Sequence, residues 1–466
     1  MKRIIRQILG WGMMLTLPLV MTSCGELFDM LDNPITPALQ VLRAQLTLKV
    51  GESKPIQAST QAHVVLLYSS DNPAVATVDA TGLITAVSPG TARITIKAQG
   101  EDDYYRTEIF SETTTTVEVT VTKKDGSISF ATSNVIKSFG DDAFTNPLTI
   151  VGDGTVTYSS NNSNVATVDA NGNVTIVDGG TAIITATTAN TDEYAYKPDY
   201  AQYTLRVIKI IDLSTLTSDY IAQDNNILTG TLAGNYKITI ADNANVELKD
   251  VTINGGNNSS TNWAGLTCDG NATITITGTN SVKGFYENYP GIQASPIGKT
   301  LTIDGTGSLT ATGGDYAAGI GSGKGASCGN ITISGGTVMA SSGKWGAGIG
   351  SGYAKSSCGD ISISGGDITA SSGQYGAGIG SGYSSKFGNI TITSGITKVQ
   401  ATSNDPDAWP IGKGYCDQSS SSSTVTIAKV TVTGRDWDGT GLTGLNFATS
   451  GTGGTNLTWT LTPKVP

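Results

Sequence analysis

From Ile274 to Ile427 the chain alternates β-branched or Leu positions with small or polar ones: Ile274-Thr-Ile276, Leu301-Thr-Ile303, Ile331-Thr-Ile333, Ile361-Ser-Ile363, Ile390-Thr-Ile392 and Val425-Thr-Ile427. Period-two patterning of this kind predicts strands with one face turned inward. The phrases recur at steps of 27, 30, 30, 29 and 35 residues, and most are followed by a second short strand: Leu309-Thr-Ala311, Val338-Met-Ala340, Ile368-Thr-Ala370 and Val399-Gln-Ala401. Gly335-Gly336 and Gly365-Gly366 mark the corner between the two. A further phrase runs Tyr316-AAGIGSG, Trp345-GAGIGSG and Tyr375-GAGIGSG. A unit of about 30 residues cannot bury its own apolar face and must stack on its neighbours. The repeat therefore predicts a right-handed parallel β-helix with about three strands per rung.

Upstream the period changes. Tyr68-SSDNPAVATVDATG-Leu83 returns as Tyr158-SSNNSNVATVDANG-Asn173, and Gly90-Thr91-Ala92 as Gly180-Thr181-Ala182, at a common offset of 90 residues. Each copy reads as about seven short strands with regular turn signals, the pattern of a β-sandwich. Asp79 and Asp169 fall in the turn after a strand, where an Asx-turn explains them better than a metal does. The string Tyr-Ser-Ser-x-Asn, Val-Ala-Thr-Val-Asp and the later Gly-Thr-Ala resembles the group 2 bacterial Ig-like domain over about residues 37 to 209. That resemblance implies spacer or adhesion modules without catalysis. The expected organisation is all-β: Ig-like sandwiches at 37–123 and 124–209, then the β-helix at 210–466.

Lys2, Arg3 and Arg6 precede an apolar run from Ile8 to Met21, too short to span a bilayer and typical of a secretory signal. Met21-Thr-Ser-Cys24 resembles a bacterial lipobox. It implies a signal peptide over 1–23, an acylated Cys24 as the mature N-terminus, and a linker over 24–36. Glu26 and Asp29 just behind Cys24 resemble surface-export signals of Bacteroidetes lipoproteins, so the expected location is the outer membrane, lipid-anchored, at the cell surface.

From about Asn225 onward, Ile227-LTGTLAGNYKITI, Val246-ELKDVTING and the GAGIGSG phrases resemble bacterial carbohydrate-binding domain-like β-helix proteins with a pectate-lyase-like fold. The resemblance implies glycan binding and allows Ca²⁺ beside the ligand, without naming the sugar. The chemistry missing from the chain narrows the options. His63 is the one histidine, and it lies in the first sandwich, so neither a Ser-His-Asp triad nor a His-rich zinc site belongs to the β-helix. A lyase would need a base near clustered carboxylates, and a hydrolase two convergent ones. Asp304, Asp315, Asp360 and Asp367 are scattered singly, and Lys324, Lys344, Lys355 and Lys386 sit at unmatched positions. A polysaccharide lyase or hydrolase, and a stalk without ligand, remain the alternatives to a binder.

Three repeating columns carry the candidate site. Trp263, Tyr289, Tyr316, Trp345, Tyr375 and Trp409 recur about once per rung. Exposed, they would stack on sugar rings; strand parity instead groups Trp345 with Ala347 and Ile349 and favours an inward or corner stack, unless the following Gly bends the chain. The same parity turns Gly346, Gly348 and Gly350 outward as a bare backbone face, a role that competes with tight bends and rung packing. The third column is Cys328, Cys358 and Phe387, with spacing that permits a disulfide but more commonly gives stacked inward thiols. Beside it, Asn330, Asp360 and Asn389 read as an amide ladder. With a net charge of −10 and a pI near 4.7, there is no basic stripe for nucleic acid, and a neutral hydroxyl-rich polymer suits the Ser/Thr/Asn-rich rungs.

Overall fold

A computed structural model of the chain describes residues 36–61, 64–100, 111–256, 259–416, 423–451 and 456–464. The signal segment, Cys24 and His63 lie outside the described residues. Among the described residues, the regular structure is all β apart from a 3-10 turn at Leu213–Thr215.

The N-terminal domain is a sandwich. One sheet contains Gln45–Lys49, Thr113–Thr122, Gly90–Gly100 and Val64–Ser70; the other contains Ser53–Pro55, Leu83–Ala86 and Ala76–Val78. Alternate residues of these strands, among them Leu46, Leu48, Ile84, Ile94, Ile96, Val117, Val119 and Val121, form one buried cluster. The repeated string has a mechanical basis. Asp79 Oδ1 accepts from the N–H groups of Thr81 (2.8 Å) and Leu83 (2.9 Å), and Asp169 Oδ1 from those of Asn171 (2.8 Å) and Asn173 (2.9 Å). Both are Asx-turns. The Gly that follows has a φ of 82° in each copy, a conformation that favours glycine, and the ring of Tyr68 or Tyr158 lies against it.

The described residues form two compact units, the first within Met1–Ala131, Pro147–Thr157 and Thr185–Gln202, the second within Thr132–Asn146, Tyr158–Ile184 and Tyr203–Pro466. In the second unit the solenoid has three faces. The first stacks Ala272–Thr277, Thr300–Gly305, Asn330–Ile333, Ile361–Ile363, Ile390–Ile392 and Val425–Ile427; the second stacks Thr279–Lys283, Ser308–Thr312, Thr337–Ser341, Asp367–Ser371 and Lys398–Ser403. The third is narrow, and ends in the two-residue strands Ile292–Gln293, Ile320–Gly321, Ile349–Gly350, Ile379–Gly380 and Ile411–Gly412. Successive rungs pair in parallel, for example Ile331↔Ile361↔Ile390 and Val338↔Ile368↔Val399. The architecture is thus a parallel β-helix. One register differs from the phrase alignment: Ile274 pairs with Ile303, and Ala272 with Leu301. A two-residue slip keeps the same side chains inward, so the core pattern survives it.

Inward residues of all three faces join one apolar column running from Ile211 to Leu461. At its N-terminal end a single strand, Tyr200–Asp212, passes through position 210. Its Thr204–Ile208 segment pairs with Asn134–Ser138, and its Lys209–Asp212 segment pairs with Asn226–Thr229 of the solenoid. At the other end Lys398–Ser403 pairs antiparallel with Leu457–Pro463, which carries the buried Trp459 packed against Trp437 and Phe447.

Candidate ligand-binding face of the β-helix

The GAGIGSG phrase is an inward loop. Ala318 N–H bonds to Ser322 O (3.1 Å), Ala347 N–H to Ser351 O (3.0 Å) and Ala377 N–H to Ser381 O (2.9 Å), so the two ends of each phrase meet. The tip drives Ile320, Ile349 or Ile379, each 0% exposed, into the core. Rungs stack here with almost no space between backbones. Gly350 has a φ of 137°, and a methyl group on it would lie 1.9 Å from Gly380 O, so only glycine fits. The serines are buried acceptors: Gly352 N–H donates to Ser322 Oγ (3.1 Å), Gly382 N–H to Ser351 Oγ (3.1 Å) and Gly414 N–H to Ser381 Oγ (2.8 Å).

This geometry corrects the expected glycine face. Gly346, Gly348 and Gly350 are buried, as are Gly376, Gly378 and Gly380. Strand parity does not apply, because residues 343–348 bend and only Ile349–Gly350 is extended. The glycines serve rung packing.

The same bend brings aromatic rings to the surface. Tyr316 and Trp345 stack at 6.3 Å and 13°, Trp345 and Tyr375 at 4.5 Å and 27°. All three are half-buried and absent from the core cluster, so the inward placement gives way to a surface corner. A second column, not anticipated from the sequence, runs beside the first: Tyr353 on Tyr383 (5.5 Å, 29°) and Tyr383 on Tyr415 (5.4 Å, 20°). The columns interlock edge to face, with Trp345 at 5.2 Å from both Tyr353 and Tyr383. Backbone bonds hold them together: Tyr353 N–H to Tyr316 O (2.9 Å), Tyr383 N–H to Trp345 O (2.8 Å) and Tyr415 N–H to Tyr375 O (2.9 Å). The signal was present in the Gly-x-Gly-Tyr of 350–353, 380–383 and 412–415. Lys324 takes the tyrosine's place one rung earlier, and its Nζ lies 4.4 Å from the Tyr316 centroid and 5.7 Å from that of Tyr353.

The other three expected rings make no ring contact with these columns among the described residues. Trp263 packs on Phe285 at 5.7 Å and against the core; Tyr289 is half-buried; Trp409 lies 6.0 Å from Lys413 Nζ. Nearby Cys416 is the leading influence pushing the ionisation of the Tyr383 and Tyr415 phenols up, and it also hydrogen-bonds to both.

Cys328 and Cys358 stack inward as free thiols with Phe387 in the same core. A hydrogen bond with Cys328, reinforced by burial, pushes the Cys358 thiol well up. The neighbouring column is not an amide–amide ladder. Asn330 Oδ1 accepts from Asp360 N–H (2.9 Å), Asp360 Oδ1 from Asn389 N–H (2.7 Å) and Asn389 Oδ1 from Thr424 N–H (3.1 Å). Each side chain needs only an acceptor, which is why Asp serves among Asn. Asp315 pairs with Lys344 (3.9 Å) and Asp367 with Lys398 (3.0 Å). Among the described residues no three His, Cys, Asp or Glu side chains are grouped to hold a metal ion, so these acids do not build a Ca²⁺ cage of the usual oxygen number.

The described geometry agrees with family-level comparisons. The family model for the Bacterial Ig-like domain (group 2) matches residues 35–106, that for the Intimin, immunoglobulin-like domain matches 150–190, and that for the Beta helix repeat matches 301–324, 331–353 and 361–383. The chain thus combines an Ig-like domain with β-helix repeats. No curated protein sequence matches it. Among solved structures, domains 4 and 5 of the S-layer protein SbsC are 18% identical, covering 37% of this chain and 96% of that one, with a TM-score of 0.22. Human protocadherin-24 EC1-2 is 14% identical, covering 38% and 99%, with a TM-score of 0.19. Likeness at that level extends to no functional property.

Proposed function

We propose that the chain is a lipid-anchored, non-catalytic surface protein that binds a glycan on its β-helix, which Ig-like modules carry away from the outer membrane. The observation that carries this reading is the double aromatic column: six half-buried rings gathered outside the solenoid core. A contiguous apolar surface that the fold itself does not bury is a recurrent mark of an interaction site. The repeat acids support binding over lyase or hydrolase chemistry, since Asp360 is engaged in rung stacking and Asp315 and Asp367 in ion pairs. Residues 124–209 serve as a second Ig-like module, in keeping with the shared Asx-turns and the match at 150–190.

The test is a glycan array probed with the full mature chain. Retention of polysaccharide, lost in Trp345→Ala and Tyr383→Ala proteins that still fold, is the expected result; absence of binding across the array rejects the function. Anchoring at Cys24 is tested separately. Cys24→Ala should move the protein out of the membrane fraction, and unchanged partition overturns the anchor.

A further inference from the structure

We infer that the double column recognises a linear, uncharged polysaccharide lying parallel to the solenoid axis, gripped through ring edges and tyrosine hydroxyls; this rests on the glycan-binding reading above. Face-on stacking of sugars has little room here. Trp345 has Tyr316 stacked on one side and Tyr375 on the other, and Tyr383 lies between Tyr353 and Tyr415 in the same way. Lys324 sits over the rings of Tyr316 and Tyr353 at one end. With both faces of Trp345 and Tyr383 taken, the edges of these rings are what remains for a ligand to reach.

An aromatic edge is the positive rim of the ring quadrupole and attracts oxygen atoms. Sugar hydroxyls supply them. The hydroxyls of the half-buried Tyr383 and Tyr415, stacked on each other at 5.4 Å, can each donate one hydrogen bond and accept others, the complement of a polyol. They recur once per rung, and rungs repeat at about 4.8 Å, close to the spacing of successive units in an extended β-linked glycan.

Charge selects against polyelectrolytes. Lys324 stands at one end of the columns, while Asp405 and Asp407 act on Tyr415 at the other. No single sign runs along the face. A polyanion would meet repulsion at one end and a polycation at the other, in a chain whose net charge is −10.

The experiment titrates the full mature chain with linear gluco-, manno- and xylo-oligosaccharides from disaccharide to octasaccharide, beside sulfated and carboxymethylated forms of the same polymers. Affinity for one uncharged series should climb with length and level off once the columns are spanned, with little response to salt. Tyr383→Phe and Tyr415→Phe keep the ring stack and should each weaken binding about three- to tenfold without lowering Tm. Binding that ignores length, is indifferent to both Phe variants, or prefers the sulfated or carboxymethylated polymer overturns the inference and leaves glycan binding standing. If no glycan binds, on the array or in titration, the functional reading fails and the inference with it.

Discussion

Asp360 shows how little a β-helix asks of a single side chain. Its Oδ1 accepts the Asn389 N–H at 2.7 Å, and its own N–H is taken by Asn330 Oδ1 at 2.9 Å. Asp360→Asn preserves the acceptor and should leave stability unchanged, whereas Asp360→Ala removes a bond worth about 0.5–1.5 kcal/mol. Urea unfolding of the two variants decides it; equal losses would mean that the negative charge itself is required. Asp79 and Asp169 make a pH prediction. Side-chain hydrogen bonds, from Thr81 and Asn173 respectively, lead the causes that hold their carboxyls below the ordinary value. A depressed folded-state pKa adds stability above the unfolded value and loses it as pH falls through the folded one. Tm should therefore be level from neutrality to about pH 4 and decline below it, with a shallower decline in Asp79→Asn. A Tm that declines already between neutrality and that pH would count against it. The Asx role was legible from the turn position alone. The acceptor ladder was not, because a column of Asn, Asp and Asn reads equally as stacked amides until the backbone partner is known.

At the scale of the element, the apolar alternation of the first two faces was legible because an extended strand has only two sides. The third face was not. GAGIGSG satisfies a strand pattern, yet its end-to-end bonds, such as Ala347 N–H to Ser351 O at 3.0 Å, make it a loop with a two-residue strand at the tip. Parity carried through that loop favoured an inward or corner stack for the aromatics and exposed the glycines; the bend puts the rings at the corner and buries the glycines. Tyr353, Tyr383 and Tyr415 escaped notice since their partners lie one rung away, as in the bond from Tyr383 N–H to Trp345 O. Two substitutions separate the loop's parts. Ser351→Ala strands the Gly382 N–H, which Ser351 Oγ accepts at 3.1 Å in a buried site, and should cost about 1–3 kcal/mol. Trp345→Ala loses stacked and edge contacts worth about 0.5–1.5 kcal/mol each. With four such contacts, two stacked and two edge-on, the loss should be about 2–6 kcal/mol, the larger of the two effects. Calorimetry on both variants checks the order of effects; a loss for Trp345→Ala no greater than that for Ser351→Ala would show that the ring contacts contribute little to the fold.

For the molecule as a whole, the change of period near residue 210 suggests a boundary, and the strand Tyr200–Asp212 runs straight across it. One half of that strand pairs with Asn134–Ser138 and the other with Asn226–Thr229. Side chains reinforce the seam. Arg206 donates twice to Asn225 Oδ1 (3.1 and 2.8 Å), Thr181 Oγ1 bonds to Asp224 Oδ2 (2.7 Å), and Lys209 pairs with Asp178 (2.6 Å). A solenoid cut at its first rung exposes an unpaired sheet edge and an open end of its core, which repeat proteins cover with a cap. The preceding sheet supplies that cover here. Sequence periodicity reports where a pattern changes, and is silent on whether one strand serves both patterns. Two fragments test the seam. Residues 124–466 should melt cooperatively near the temperature of the full chain's solenoid, while residues 210–466 should melt lower and less sharply, and self-associate through the exposed edge. A sharp, unshifted transition in the shorter fragment would show that the solenoid closes its own end, and that position 210 is a true folding boundary.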